Sequence, residues 1–159
     1  MPKWGYSITG LDPAKTVKSA GRELRVSHKH AREVCTAIKG MTLNQARTYL
    51  NNVIVKKQPV PYRRYQKKLG HRHGTAPGTF AARYPVKTAQ KILRILIGAE
   101  ANAEFKGLDT ERLRIISASA HPGIKIKRFT PRAFGRSSPK VQTVTHIELV
   151  LEETEETTQ

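Results

Sequence analysis

Six histidines, one cysteine and twelve carboxylates are the side chains in this 159-residue sequence that could bind a metal or move a proton. The closest approach to a metal site is His28 with His30, or His71 with His73. Residues two apart on a helix do not face one another, and the His71 and His73 pair has no nearby carboxylate or cysteine to complete a ligand set. No metal, cofactor or catalytic group is expected, and the chain reads as a non-enzyme. Cys35 is alone, which excludes an intrachain disulfide and a cysteine zinc cluster. It reads as a small hydrophobe within a helix.

Cations are the abundant chemical group. Lysine and arginine number 29 against 12 acids, a net charge of +17, while only 38% of residues are hydrophobic. Charge of that size favours a polyanionic partner, and nucleic acid fits best, because lysine and arginine displace condensed counterions from phosphates. A membrane surface would require an amphipathic helix or an anchor. No stretch of roughly 18 apolar residues occurs, and the start MPKWGYSITGLDPAK has no apolar run with a small-residue cleavage site, so a cytoplasmic protein without membrane insertion is expected.

Three groups of residues carry the charge. Arg22, Arg25, His28, Lys29, His30 and Arg32 can form one surface for phosphates, or a solvated cationic face. Arg63, Arg64, Tyr65, Lys67, Lys68, His71, Arg72 and His73, with Tyr62 beside them, interleave cations with rings. That composition suits phosphate contact and stacking on unpaired bases, although either tyrosine could instead pack against the domain. Lys125, Lys127, Arg128, Arg132, Arg136 and Lys140 form the third group. Among them, Pro131 and Gly135 read as turn residues, and Phe129 and Phe134 either stack on a partner or touch each other.

The elements that position these groups follow from periodicity. Residues around Arg22 to Val26 alternate as a short strand, then Ser27 caps a helix through Lys39, with Gly40 as its stop. Its apolar positions are Ala31, Val34, Cys35 and Ile38. Thr42 and Gln45 make a capping box for a second helix, which buries Leu43, Ala46, Leu50, Val53 and Ile54. Residues 56–84 show no sustained period and read as a long loop that only a partner would order. Pro85 opens a third helix, its wide apolar face built from Val86, Ala89, Ile92, Leu93, Leu96, Ile97 and Ala103, and Gly107 and Asp109 end it.

A strand is expected around Leu113 to Ala120, and a second where Ile147, Leu149 and Leu151 alternate with His146, Glu148 and Glu152. Between them lies a hairpin arm of roughly ten residues per strand, on the order of 30 Å long. Asp12, Glu23 and Glu33 are the only acids before Glu100, and none lies between Glu111 and Glu148. The expected organisation is one domain over residues 1–151, with the arm at about 112–151, and an acidic, disordered tail over 152–159.

The stretches RVSHKHAREV, AQKILRILIGAEANAE, KRFTPRAFGR and THIELVLEE occur in this order. Together they resemble the universal large-subunit ribosomal protein family numbered twenty-two in bacteria and archaea, and seventeen in eukaryotes, over roughly residues 15 to 153. The resemblance implies an α+β fold: three helices packed on a small three-stranded antiparallel sheet, with a long protruding β-hairpin arm. It implies a structural constituent of the large ribosomal subunit in the cytoplasm, whose partners are large-subunit ribosomal RNA, neighbouring ribosomal proteins and the nascent polypeptide. The tip, Lys127, Arg128, Phe129, Thr130, Pro131, Arg132, Ala133 and Phe134, would help line the nascent-peptide exit tunnel. The loop over 56–84 departs from the shorter bacterial pattern and resembles the archaeal and eukaryotic version. Contacts there rest on its charge and aromatic content alone.

Overall fold

Local signals a few residues apart set the start of the second helix and the end of the third in the structure, a computed structural model that describes residues 5–75 and 77–154. Its elements are β1 (Thr16–Leu24), α1 (His28–Ile38), α2 (Leu43–Ile54), β2 (Val60–Pro61), β3 (Ala82–Arg83), α3 (Val86–Lys106), β4 (Leu113–Pro131) and β5 (Ser137–Glu153). A 3-10 turn over Thr110–Arg112 precedes β4. At the start of α2, Gln45 N–H donates to Thr42 Oγ1 at 3.4 Å and Thr42 N–H to Gln45 Oε1 at 3.3 Å, the reciprocal pair that satisfies two orphan donors. α3 stops at Gly107, whose φ of 73° is open to glycine without Cβ strain. Ser27 stands at the N-cap of α1 as expected, yet its hydroxyl makes no capping bond.

The helices pack on an antiparallel sheet ordered β1-β5-β4, the expected α+β arrangement. Val17, Leu113, Ile115, Ile147, Leu149 and Leu151 form the sheet's contribution to the core, each at most 1% exposed. Against them lie Ala31, Val34, Cys35 and Ile38 of α1, and Leu43, Ala46, Leu50 and Val53 of α2, all fully buried. Ala89, Ile92, Leu96 and Ala103 supply the α3 face, but Ile97 does not join them. It is 46% exposed, and Ile95 and Ala99 are buried instead. The run ILRILI offers apolar residues on almost every side of the helix, so periodicity could not choose which of them turned inward.

Several boundaries differ from expectation. The first strand lies earlier than Arg22 to Val26: it pairs with β5 from Thr16↔Glu152 to Leu24↔Thr145, with a bulge between Gly21 and Leu24, and Arg25 and Val26 form the bend after it. Its sequence TVKSAGREL alternates poorly, and the pairing with β5 determines its extent. Glu152 and Glu153, placed in the tail by charge reversal, close β5; residues 155–159 of that tail lie outside the described residues. Glu148, on the face that alternates with Ile147, Leu149 and Leu151, is only 4% exposed, and Val150 on that same face is 2% exposed. Ser7 donates its N–H and hydroxyl to Glu148 Oε2 at 2.9 and 2.8 Å, so the N-terminal segment covers this face.

The stretch over 56–84 is not a structureless loop. β2 and β3 pair through Val60↔Arg83 and Pro61↔Ala82, and His71 bridges Ala81. Val60, Tyr62 and Ala81 are each at most 1% exposed within the core. Its apolar anchors come singly at the two ends of the stretch, which leaves no period to detect. The arm is the opposite case: β4 and β5 run on as one hairpin to Pro131↔Ser137, and no residue between Ser117 and Val144 is buried.

Candidate nucleic-acid interface

α1 begins the basic surface because Ser27–His30 face outward while Ala31 and Val34 face the core. Arg22, Arg25 and Lys29 are exposed, and His28, His30 and Arg32 are partly buried. Nothing acidic occupies the first turn of α1 or of α3. Both helix ends therefore bring partial positive charge beside these side chains.

The second group is held against the first by a carboxylate. Glu33 is 1% exposed, and it accepts the backbone N–H of Arg63 at 3.0 Å and those of Arg64 and Tyr65 at 3.1 Å each. Three successive amides converging on one anion form a nest that fixes the local backbone. Tyr62, just before it, is buried and bonds to His30, so it is not available for stacking on a base. Burial and the nearby Arg83 and Lys29 cations push the His30 imidazole below its ordinary pKa. The charged form of His30 is thereby disfavoured, and its ring bonds to Tyr62.

Tyr65 is the point where the two groups meet. Lys29 Nζ stands 5.7 Å from the centre of its ring and Arg64 Cζ 5.9 Å, both within cation–π range. A groove of ≈ 410 Å³ runs beside this cluster, bordered by Lys29, Arg64, Lys67 and Arg83. A second groove, of ≈ 670 Å³, shares Ser27, Lys29 and His30 with it and continues past Tyr84 and Lys87 to Val141–Thr143 at the base of the arm. Arg63, Lys67, Lys68, His71, Arg72 and His73 are exposed around the stretch, and Arg72 Cζ lies 5.9 Å from the Tyr84 ring.

Lys125, Lys127, Arg128, Arg132, Arg136 and Lys140 are all exposed along the arm and do not share the groove. At its end, Arg136 N–H donates to Ala133 O across a turn in which Phe134 and Gly135 have φ of 56° and 65°. Two consecutive positive φ angles mark the primed turns that match strand twist. Phe134 is 98% exposed and Phe129 69%, which rules out a close mutual stack at the tip.

The sequence reading missed Arg83, Lys87 and Glu33. Arg83 and Lys87 belong to the acid-free stretch that ends at Glu100, which was their signal. Glu33 was visible only as a lone acid in a basic neighbourhood. Among the described residues, no three His, Cys, Asp or Glu side chains gather as a metal site.

The family described as ribosomal protein L22p/L17e matches residues 19–152, thus covering both α1 and the whole arm. The chain belongs to this family. Relatives named large ribosomal subunit protein uL22 include those of Methanopyrus kandleri, 52% identical over 158 residues, and Cenarchaeum symbiosum, 50% identical over 153 residues. Each alignment covers 96% of this chain and 99% of the relative. A third, from Methanocaldococcus jannaschii, is 52% identical over 153 residues, 96% of this chain and 97% of its own. All three are archaeal, in keeping with the longer form of the 56–84 stretch. As a member of this family the protein is a structural, non-enzymatic constituent of the large ribosomal subunit in the cytoplasm. No described helix is long and apolar enough to cross a membrane.

Proposed function

We propose that residues 1–151 act as one unit that binds large-subunit ribosomal RNA through the surface centred on Ser27–His30, while the arm helps line the nascent-peptide exit tunnel. Neighbouring ribosomal proteins and the nascent polypeptide are its further partners. The observation that carries the RNA reading is the meeting of Lys29 and Arg64 over Tyr65, which joins two basic groups distant in sequence. The grooves beside it are lined by Arg25, Lys29, Arg64, Lys67, Arg83 and Lys87, and two helix N-termini add positive potential along them. An architectural role needs nothing more, because phosphate contacts position a protein without reading sequence.

The tunnel reading is supported by the arm's freedom from the core and by Phe134. A bulky residue at positive φ costs about 1–3 kcal/mol, and here that strain presents an aromatic ring at the extreme tip. The test of the RNA reading is the affinity of the full chain for ribosomal RNA against salt. Six to ten phosphate contacts weaken binding by roughly 10³ to 10⁵ between about 50 and 200 mM. Arg64→Ala should lower the slope by about one unit. A flat dependence would remove the basic surface from the binding role.

A further inference from the structure

Arg128 and Lys140 are direct cross-strand partners on the arm, and both are exposed. Directly opposite residues of an antiparallel pair share a face, with Cβ atoms about 4.5–5.5 Å apart, and like charges there oppose the pairing. Nearer the domain the same two strands use the favourable combination, since Arg114 stands opposite Glu152. On the arm nothing offsets the repulsion. No acid occurs between Glu111 and Glu148, and neither cation is ion-paired among the described residues.

One step toward the tip on the same face, Thr130 stands opposite Ser138. Their hydroxyls make no hydrogen bond among the described residues. Two residues along a strand span about 7 Å, so two cations and two hydroxyl donors converge on a patch that a single phosphate can bridge. The arrangement belongs to one face only. On the other, Lys125 stands opposite Thr143, Lys127 opposite Val141 and Phe129 opposite Pro139, so no two cations are paired.

We propose that Arg128, Lys140, Thr130 and Ser138 form a seat for one backbone phosphate of ribosomal RNA, which removes the cross-strand repulsion and tightens the arm. The inference rests on ribosomal RNA as the partner, and it adds to the Ser27–His30 surface a separate contact on one face of the arm. A carboxylate of the nascent chain is disfavoured, because a passing peptide brings one only intermittently while the two cations are opposed at all times. RNA carries a phosphate at every nucleotide.

Lys140→Glu tests the seat, because it changes the repulsion and the phosphate contact in opposite directions. In the free full chain, the arm amides over 126–131 and 137–142 should exchange about two- to fivefold more slowly, as a like-charge pair becomes an attractive one. In assembled large subunits the same variant should be retained about tenfold less well at a fixed salt concentration. Lys127→Glu makes the same charge change on the other face and should slow exchange less, since no cation stands opposite it. Unchanged exchange in Lys140→Glu, or equal slowing in Lys127→Glu, would overturn the repulsion argument. The double variant Arg128→Ala with Lys140→Ala should lose less retention than the product of the two single losses, and a full product would place the cations on separate phosphates and overturn the single seat. A photoreactive benzoyl-phenylalanine at position 138 should label RNA, and an adduct with the nascent chain or another protein in its place would overturn the phosphate as occupant. Arg64→Ala separates this seat from the surface at Ser27–His30. Lost retention in Arg64→Ala with none lost in Lys140→Glu overturns the seat alone, whereas the reverse overturns that surface and leaves the seat standing.

Discussion

Glu33 Oε1 accepts the backbone N–H of Tyr65 at 3.1 Å, across a separation of 32 residues. With the neighbouring amides of Arg63 and Arg64 on the same carboxylate, this bond turns a cationic stretch into a preformed surface. The ordering entropy of about 1–2 kcal/mol per residue is thereby met during folding rather than on binding. The consequence is a surface that presents Tyr65, Lys29 and Arg64 together in the free protein.

Glu33→Ala should destabilise the protein by about 3 kcal/mol or more, because charge-assisted bonds contribute roughly 1.5–3 kcal/mol each and the amides they leave are partly buried. Glu33→Gln retains the shape and one acceptor oxygen, and should cost less. Urea denaturation gives the stability, and amide exchange at Arg63, Arg64 and Tyr65 gives the local effect. Unchanged protection of those three amides in Glu33→Ala would show that the stretch is held by something else.

Tyr49 carries the opposite kind of polar group. Its hydroxyl is buried without a hydrogen-bond partner among the described residues, and burial pushes its pKa up to about 12. Tyr49→Phe removes an unsatisfied group and should leave stability unchanged or raise it by about 1 kcal/mol. A clear fall in the urea midpoint would mean that the hydroxyl has a partner in solution.

The lowered pKa of His30 makes stability depend on pH. The unfolded state takes up the proton first, so the contribution is fully present above the ordinary imidazole pKa of about 6.5 and is lost as pH falls toward the depressed folded value. Thermal melts should therefore shift downward between pH 7 and pH 5. In His30→Gln that shift should be smaller, and an identical pH dependence in both proteins would assign it to other groups.

Excision of residues 126–134 should leave the core folded, since no residue between Ser117 and Val144 is buried. Incorporation into large subunits should survive on the Ser27–His30 surface, while nascent-chain stalling and sensitivity to tunnel-binding inhibitors change. Normal tunnel behaviour at full occupancy would remove the tip from the tunnel wall. Failure to incorporate would make the arm the main anchor.

What could be read directly from the sequence depends on neighbours a few positions away. The Thr42 and Gln45 capping box, the Gly107 stop and the inward row Ala31, Val34, Cys35 and Ile38 are local hydrogen bonding and local period. The cations of the arm were legible too, because a run without acids needs no partner to be recognised. The family resemblance added the fold and the tunnel expectation. Tertiary structure alone decided which residues of 56–84 enter the core, since Tyr62 is buried by α1 and the β2–β3 pair rather than by its own sequence neighbours. It also decided that Glu33 points inward to three distant amides and that Ile97 points outward. Each of those choices is settled by groups far along the chain, whose positions become adjacent only when the sheet and helices close on one core.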